Sequence, residues 1–213
     1  MQENTPAPAM KFFGNLLSYV FHPLFIPTYF LLYLIQVVPY EFVGITDWQL
    51  KLRVFSVFWL TAFFPAFAVF LLWRLKLSNN IFLKTQKERI IPYVIVMFFY
   101  WWMYYLSRNF VDQPLALKYF YFGVFIASSL GLIVNNFIKV SLHGIAMGGV
   151  LTAVFLVGIQ YPINNMIWDI ALIFITGLVI SARMVVSDHT RQELIVGLII
   201  GILTQTVAYL WVG

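Results

Sequence analysis

Long apolar runs, separated by short polar segments, fill almost the whole chain. A helix needs about 20 mostly apolar residues to cross roughly 30 Å of hydrocarbon. Runs of this kind lie near residues 16–40, 54–74, 91–107, 117–138, 143–160, 166–183 and 190–211. The pattern predicts an all-α fold, a polytopic bundle of six to seven transmembrane helices. Residues 1–213 are expected to form one integral membrane domain.

The first of these runs is the least regular. It contains His22-Pro23 and Pro27, and a proline kinks or breaks a helix because it lacks an N–H and crowds the preceding turn. We expect this run to be kinked or partly re-entrant, so six crossings remain an alternative to seven. His22 is expected to make a local hydrogen bond beside Pro23, far from the other two histidines.

Composition supports a lipid environment. Apolar residues make up 62% of the 213 residues, charged residues 10%, and the mean hydropathy is +0.88. A soluble domain is about one quarter charged, so this chain has too little polar surface for water. The absence of cysteine excludes disulfides and thiolate metal sites, and three histidines without paired carboxylates argue against zinc. The net charge of +5 fits an anionic lipid headgroup or ordinary flanking lysines.

Successive crossings place every second polar segment on the same side of the membrane. We define side A as the side that holds loop 75–90. Residues 139–143 and 183–189 return to side A, two and four crossings later. The other loops fall on side B: 41–53, 108–116 and 161–165. Three polar segments that are distant in sequence therefore share one membrane face.

Most lysines and arginines also fall on side A. Taken literally, the positive-inside rule makes this side cytoplasmic. The excess of lysine and arginine on side A falls to near zero when the residues that would bind a phosphate group are left out of the count. Both orientations therefore stay open at this point.

Residues 181–197 end one apolar run and begin the next. Thr190 and Glu193 have the spacing of a capping box at a helix start. His189 lies four residues before Glu193, so the two side chains share one helix face. A carboxylate at this distance fixes the tautomer of an imidazole. The segment predicts either a capping box beside an interfacial histidine or a catalytic histidine with an orienting carboxylate.

Residues 139–149 form a second polar segment, in which Lys139, Ser141 and His143 lie at the start of a membrane helix. A helix N-terminus offers unpaired N–H groups to an anion. Ser141 can donate to a phosphate oxygen, and His143 can supply a proton to a leaving group. The alternative is a polar interfacial turn with a lone histidine.

Glycines recur at four-residue steps in both segments. On the last helix they continue the stripe of His189, and on the earlier helix they follow His143. Small residues at this spacing let two membrane helices approach closely. If the stripes face each other, the two imidazoles meet at the side A end. The glycines concerned are Gly144, Gly148, Gly197 and Gly201.

Residues 76–93 form a basic segment on the same side. Lys84, Lys87 and Arg89 precede Pro92, which suits the first turn of a helix. The planar guanidinium of Arg89 is well shaped to bind a phosphate bidentately. A solvated basic loop is the alternative, and it is favoured for Lys84 and Lys87 taken individually.

These segments together resemble the type 2 phosphatidic acid phosphatase (PAP2) superfamily over roughly residues 75–205. Arg183 and His189 match the spacing of its third motif, in which Glu193 replaces an aspartate. Ser141 and His143 match the second motif, in which this chain lacks the proline and the glycine.

The first motif of that family is poorly matched. Arg89 is followed by Pro92 rather than by an adjacent proline, and no lysine stands seven residues before it. Lys84 is the best candidate for the motif lysine, with Lys87 behind it.

The resemblance implies a membrane lipid phosphatase with no cofactor, no metal and no nucleic-acid partner. Its substrate would be a lipid phosphomonoester or diphosphate, such as phosphatidic acid, phosphatidylglycerophosphate, a polyprenyl diphosphate or a lipid A phosphate. His189 would attack phosphorus and form a phosphohistidine, with Glu193 orienting it and His143 protonating the leaving group. The phosphate would be held by Arg183, Arg89, Ser141 and Lys84 or Lys87.

The resemblance also implies a bacterial inner membrane, with the site on the periplasmic face. Two other classes of function remain as alternatives. One is a degenerate relative that binds or transports an anionic lipid without hydrolysis. The other is a structural membrane subunit whose polar residues are merely interfacial.

Overall fold

The computed structural model describes residues 7–76, 86–186 and 189–213 of the chain. These ranges form helices and connecting turns and contain no strand, which confirms the all-α prediction. The helices are α1 (Pro8–Val20), α2 (Ile26–Val37), α3 (Asp47–Arg74), α4 (Gln86–Asn109), α5 (Leu115–Asn135), α6 (Leu142–Gln160), α7 (Met166–Val186) and α8 (Arg191–Val212).

Six of these helices, α3 to α8, are long and apolar enough to cross a membrane. The apolar helix α2 has only 12 residues, about 18 Å at 1.5 Å per residue, which is shorter than the hydrocarbon core. The described part of the chain therefore has six helices of spanning length, the lower of the two predicted numbers. This architecture indicates an integral membrane protein.

The first predicted crossing, residues 16–40, consists of two separate helices. Helix α1 ends at Val20, a turn occupies residues 21–25, and α2 begins at Ile26. Pro27 lies in the first turn of α2, where its missing N–H would have had no helical partner. The predicted irregularity is confirmed, and it is a full break rather than a kink.

Helix α1 packs against the end of α7 that lies on side A. Gly14 faces Val186 so closely that a methyl group on the glycine would lie 2.5 Å from Cγ1 of the valine. The opposite face of α1 exposes apolar residues such as Phe12 and Phe13. The turn that follows α1 consequently stays at the side A end of the bundle.

A π-helical turn, Trp59–Phe63, interrupts α3. Such turns place one extra residue in the helix. Here the hydroxyl of Thr61 donates to the carbonyl oxygens of Val57 (2.8 Å) and Leu24 (3.4 Å). The turn of residues 21–25 is therefore attached to the middle of α3.

A polar cluster joins three elements at the side B end, and we call it the side B clasp. The amide of Asn165, at the start of α7, is its centre. The hydroxyl of Tyr33 on α2 donates to Oδ1 of Asn165 at 2.7 Å, and Nδ2 of Asn165 donates to the Val154 carbonyl oxygen of α6 at 2.9 Å. Asn165 is almost fully buried, so these bonds replace its lost contact with water.

Candidate functional site

Helices α6 and α8 approach each other through their glycines. A methyl group on Gly144 would lie 2.7 Å from the Leu194 carbonyl oxygen, and one on Gly197 would lie 2.6 Å from the Ser141 carbonyl oxygen. Methyl groups on Gly148 and Gly201 would overlap the backbone of the facing helix. The prediction that the glycine stripes face each other is confirmed. The packing brings the N-terminal ends of both helices together.

His189 is oriented by the carboxylate of Glu193. Nδ1 of His189 lies 2.9 Å from Oε2 of Glu193, and the same oxygen accepts the backbone N–H of Thr190 at 3.1 Å. The Thr190 hydroxyl accepts the N–H of Glu193, which completes a capping box. The two readings of this segment are thus compatible. Because a carboxylate only accepts, Nδ1 carries the proton and Nε2 keeps its lone pair.

The electrostatic surroundings of His189 favour the neutral ring. Burial lowers its pKa, and the charges of Arg89 and Arg183 lower it further, whereas the hydrogen bond that His189 donates to Glu193 and the charge of Glu193 raise it. The side chain is only 5% exposed. At neutral pH, His189 therefore presents an unprotonated Nε2 beside two guanidinium groups.

His143 lies in the first turn of α6 and is 9% exposed. Its Nε2 is 3.0 Å from the carbonyl oxygen of Ser18 on α1. A carbonyl oxygen only accepts, so Nε2 of His143 carries a proton and Nδ1 is the atom left for proton exchange. Helix α1, which lies outside the segments that resemble PAP2 motifs, thus contributes directly to the site.

The structure places a third histidine at this end of the bundle. The rings of His22 and His143 are in edge-to-face contact, with centroids 5.5 Å apart and an interplanar angle of 83°. The predicted local hydrogen bond of His22 is present, since the Leu24 N–H donates to its Nδ1 at 3.4 Å. The expectation that His22 lies far from the other histidines is wrong. The helix break at residues 21–25 and the packing of α1 on α7 hold His22 beside His143.

Two arginines from different helices converge on the histidines. Nη1 of Arg89, at the start of α4, donates to the Val140 carbonyl oxygen at 3.3 Å, and its charge acts on Glu193 and His189. The charge of Arg183, near the end of α7, acts on all three histidines. Two neighbouring guanidinium groups repel each other and favour an anion between them.

The remaining predicted phosphate ligands are less well placed. Ser141 is 1% exposed, and its Oγ accepts the Gly144 N–H at 3.3 Å as the N-cap of α6. The hydroxyl of Ser141 can still donate its proton, but its oxygen already accepts a hydrogen bond at the N-cap of the helix. The Lys87 side chain is exposed, and Lys84 lies outside the described residues.

The site therefore combines residues from five helices and one turn at a single end of the bundle. The predicted members that lie there are His143, His189, Glu193, Arg89, Arg183 and Ser141; sequence patterns missed His22 and the carbonyl of Ser18. In the described ranges, no three histidine, aspartate or glutamate side chains cluster as metal ligands.

Comparisons of the chain with protein-family models, with curated proteins and with solved structures found no match. The function has to be inferred from the arrangement of these side chains. They bring an oriented, neutral imidazole and two guanidinium groups to one end of the bundle.

Proposed function

We propose that the protein is a membrane lipid phosphatase that hydrolyses a lipid phosphomonoester or diphosphate through a phosphohistidine on His189. The main support is the 2.9 Å contact between Nδ1 of His189 and Oε2 of Glu193. It leaves Nε2 as an unprotonated nucleophile, as in other enzymes that activate a side chain through an oriented partner.

The proposed first step forms a bond between Nε2 of His189 and phosphorus while the bond to the leaving oxygen breaks. In its protonated form, His143 gives the Nδ1 proton to that oxygen. Arg89 and Arg183 stabilise the equatorial oxygens, where negative charge collects in the transition state. The products of this step are the phosphohistidine and the dephosphorylated lipid.

In the second step water replaces His189 on phosphorus. Neutral His143 accepts a proton from the attacking water through Nδ1, and the bond between Nε2 and phosphorus breaks. Inorganic phosphate leaves, and both histidines return to their starting states. His143 thus acts as general acid and then as general base.

The substrate is proposed to enter from the bilayer. The site lies where α4, α6 and α8 begin and α7 ends, and we propose that this end of the bundle lies at the level of the lipid headgroups. A lipid can present its phosphate there while its tails remain in hydrocarbon. We propose a bacterial inner membrane and a periplasmic site, as the PAP2 resemblance implies, with phosphatidic acid, phosphatidylglycerophosphate, polyprenyl diphosphate and lipid A phosphates as candidate substrates.

The test is phosphate release from a panel of these lipids by the purified protein in detergent. His189→Ala is expected to lower kcat by at least about 10³-fold, because removal of a nucleophile leaves only residual binding effects. Arg53→Gln is the control, since Arg53 pairs with Asp112 at the side B end at 2.6 Å. Activity that survives in His189→Ala would exclude the proposed nucleophile.

A second candidate is a PAP2-like protein that binds or transports an anionic lipid without hydrolysis. The burial of Ser141 at the N-cap of α6 favours it, because a side chain that is 1% exposed is poorly accessible to a phosphate oxygen. Tight binding of lipid phosphates without phosphate release from any of them would support this candidate. The two buried, oriented histidines argue against this candidate, because binding of an anionic lipid requires only cationic side chains.

A further inference from the structure

His22 is held in place from three directions. Its Nδ1 accepts the Leu24 N–H at 3.4 Å, and the carbonyl oxygen of Leu24 accepts the Thr61 hydroxyl of α3. Phe25, which contacts the His22 ring, stacks on Phe58 of α3 with nearly parallel rings 6.2 Å apart. The imidazole is therefore fixed by the fold before any ligand binds.

The hydrogen bond to Nδ1 also determines which atom carries the proton. A neutral imidazole that accepts at Nδ1 is protonated at Nε2. Burial, followed by the charge of Arg183, lowers the pKa of His22 to about 4, so the ring is neutral at neutral pH. Among the described residues, nothing accepts a hydrogen bond from this Nε2–H. His22 thus offers one unused donor beside Arg183 and His143.

The contacts and charges around the three histidines put His143 between His189 and His22. His143 interacts with both His189 and His22, whereas no direct interaction between His189 and His22 is found among the described residues. In phosphoryl transfer the nucleophile and the leaving group are roughly in line on opposite sides of phosphorus. If His189 attacks and His143 protonates the leaving group, His22 lies beyond His143 on the leaving-group side.

We propose that His22 is a substrate-binding residue for the leaving group, and that the site therefore takes a lipid diphosphate. This inference rests on the proposed function. When a diphosphate is cleaved, Nε2 of His189 bonds to the terminal phosphorus, and the bridging oxygen leaves with its electron pair on the lipid monophosphate. The other oxygens of that leaving phosphate accept the His22 N–H and pair with Arg183. An alkoxide leaving group has a single oxygen, which His143 already serves.

The test compares farnesyl diphosphate with farnesyl monophosphate, which share one tail, on the purified protein in detergent. We expect kcat/KM to be at least about tenfold higher for the diphosphate, because one hydrogen bond to a charged group typically contributes this factor. His22→Phe keeps a ring against His143 but removes the N–H. It is expected to lower kcat/KM about tenfold to hundredfold for the diphosphate and less than about threefold for the monophosphate.

Two further variants separate binding from folding. His22→Gln carries an amide N–H near the position of Nε2 and is expected to restore part of the diphosphate activity. Phe25→Leu weakens the contacts that hold the His22 ring but keeps its N–H, and it is expected to lower the diphosphate activity by a smaller factor than His22→Phe does.

The outcomes for this inference and for the proposed function are distinct. Equal losses on both substrates in His22→Phe, or a wild-type preference for the monophosphate, would overturn the role of His22 and leave the phosphatase proposal intact. Phosphate release from neither lipid by the wild-type protein would instead overturn the phosphatase proposal itself.

Discussion

A single carboxylate oxygen of Glu193 carries both the orientation of His189 and the start of α8. Oε2 accepts from the His189 ring at 2.9 Å and from the Thr190 N–H at 3.1 Å. The capping role and the proposed catalytic role therefore share an atom but depend on it differently. The helix start needs an acceptor, whereas a phosphohistidine mechanism needs a negative charge that stabilises the imidazolium.

Glu193→Gln separates these two roles. Glutamine also suits a capping box, so the midpoint of thermal unfolding is expected to change little. The loss of charge is expected to lower kcat for phosphate release by about 10²-fold, a typical effect of impaired acid–base partners. A kcat equal to that of the wild-type protein would contradict the orienting role of Glu193.

Thr190→Val is the converse variant. It removes the hydroxyl that accepts the Glu193 N–H and leaves the carboxylate in place. We expect the free energy of unfolding to fall by about 1 kcal/mol, with kcat close to the wild-type value.

The low pKa of His22 predicts a pH-dependent stability. The folded-state pKa is about 4, against 6.5 for the ordinary group, so the unfolded chain binds more protons between these values. The free energy of unfolding should therefore fall as the pH drops from about 6.5 towards 4. We expect His22→Phe to lose less thermal stability than the wild-type protein between pH 7 and pH 4.5 in detergent. The same loss in both proteins would contradict this.

At the scale of elements, the contact between α6 and α8 determines how close the two proposed catalytic histidines come. Gly148 faces the backbone of Leu198, and a methyl group there would overlap it. A methyl group on Gly149, the next residue, would have its nearest neighbour, the Gly201 carbonyl oxygen, at 3.9 Å. Adjacent positions of one helix thus differ sharply in the space available to them.

Gly148→Ala is expected to force α6 and α8 apart and to lower the free energy of unfolding by about 1–3 kcal/mol, as overpacking does. The displacement should also lower kcat, because misplacement of reacting groups by about 1 Å costs about 10²-fold. Thermal unfolding and phosphate release measure the two effects. Gly149→Ala is the matched control, and a similar loss there would argue against the close packing.

Local patterns predict part of this arrangement well. Residues four positions apart lie on the same face of a helix. The glycine stripes and the pairing of His189 with Glu193 can therefore be predicted from sequence spacing alone. The docking of α1 on α7 depends on Gly14 meeting Val186, a pair 172 positions apart (186 minus 14). No periodicity encodes that pairing, and it is what brings Ser18 and His22 to His143.

The sequence also leaves the local role of a polar residue undetermined. Ser141 fits both a phosphate ligand and a helix cap, and the structure shows the cap. The side chain of Arg89 reaches the site even though the spacing between Arg89 and Pro92 departs from the PAP2 motif that this segment resembles. Spacing thus predicted which segments meet more reliably than it predicted what each side chain does there.

On the scale of the whole molecule, the two polar clusters described above lie at opposite ends of a mostly apolar bundle. The site occupies the side A end, and the side B clasp around Asn165 occupies the other. Buried aromatic residues of α5 lie between, with Phe120 stacked on Phe30 of α2 at 4.1 Å. Stability and the proposed activity are therefore expected to respond separately to changes at the two ends.

Asn165→Ala tests this separation. It leaves the Tyr33 hydroxyl and the Val154 carbonyl oxygen without their bonds to Asn165, which is expected to lower the free energy of unfolding by roughly 1–3 kcal/mol. KM for the lipid substrate should stay within about twofold of wild type. The exposed neighbour Asn164 provides the control, since Asn164→Ala removes one bond, to the Met166 N–H. A raised KM in Asn165→Ala would show that the two ends are coupled.

The extra residue in the π-helical turn of α3 is needed for the contacts that hold His22 in place. On one side of the turn Phe58 stacks on Phe25, and on the other Phe64 stacks on Phe99 of α4 at 5.6 Å. Deleting one residue between them would rotate one half of α3 by about 100° relative to the other, so both stacks cannot survive. In evolution, a lineage that loses this extra residue is therefore expected to lose the imidazole at position 22 as well.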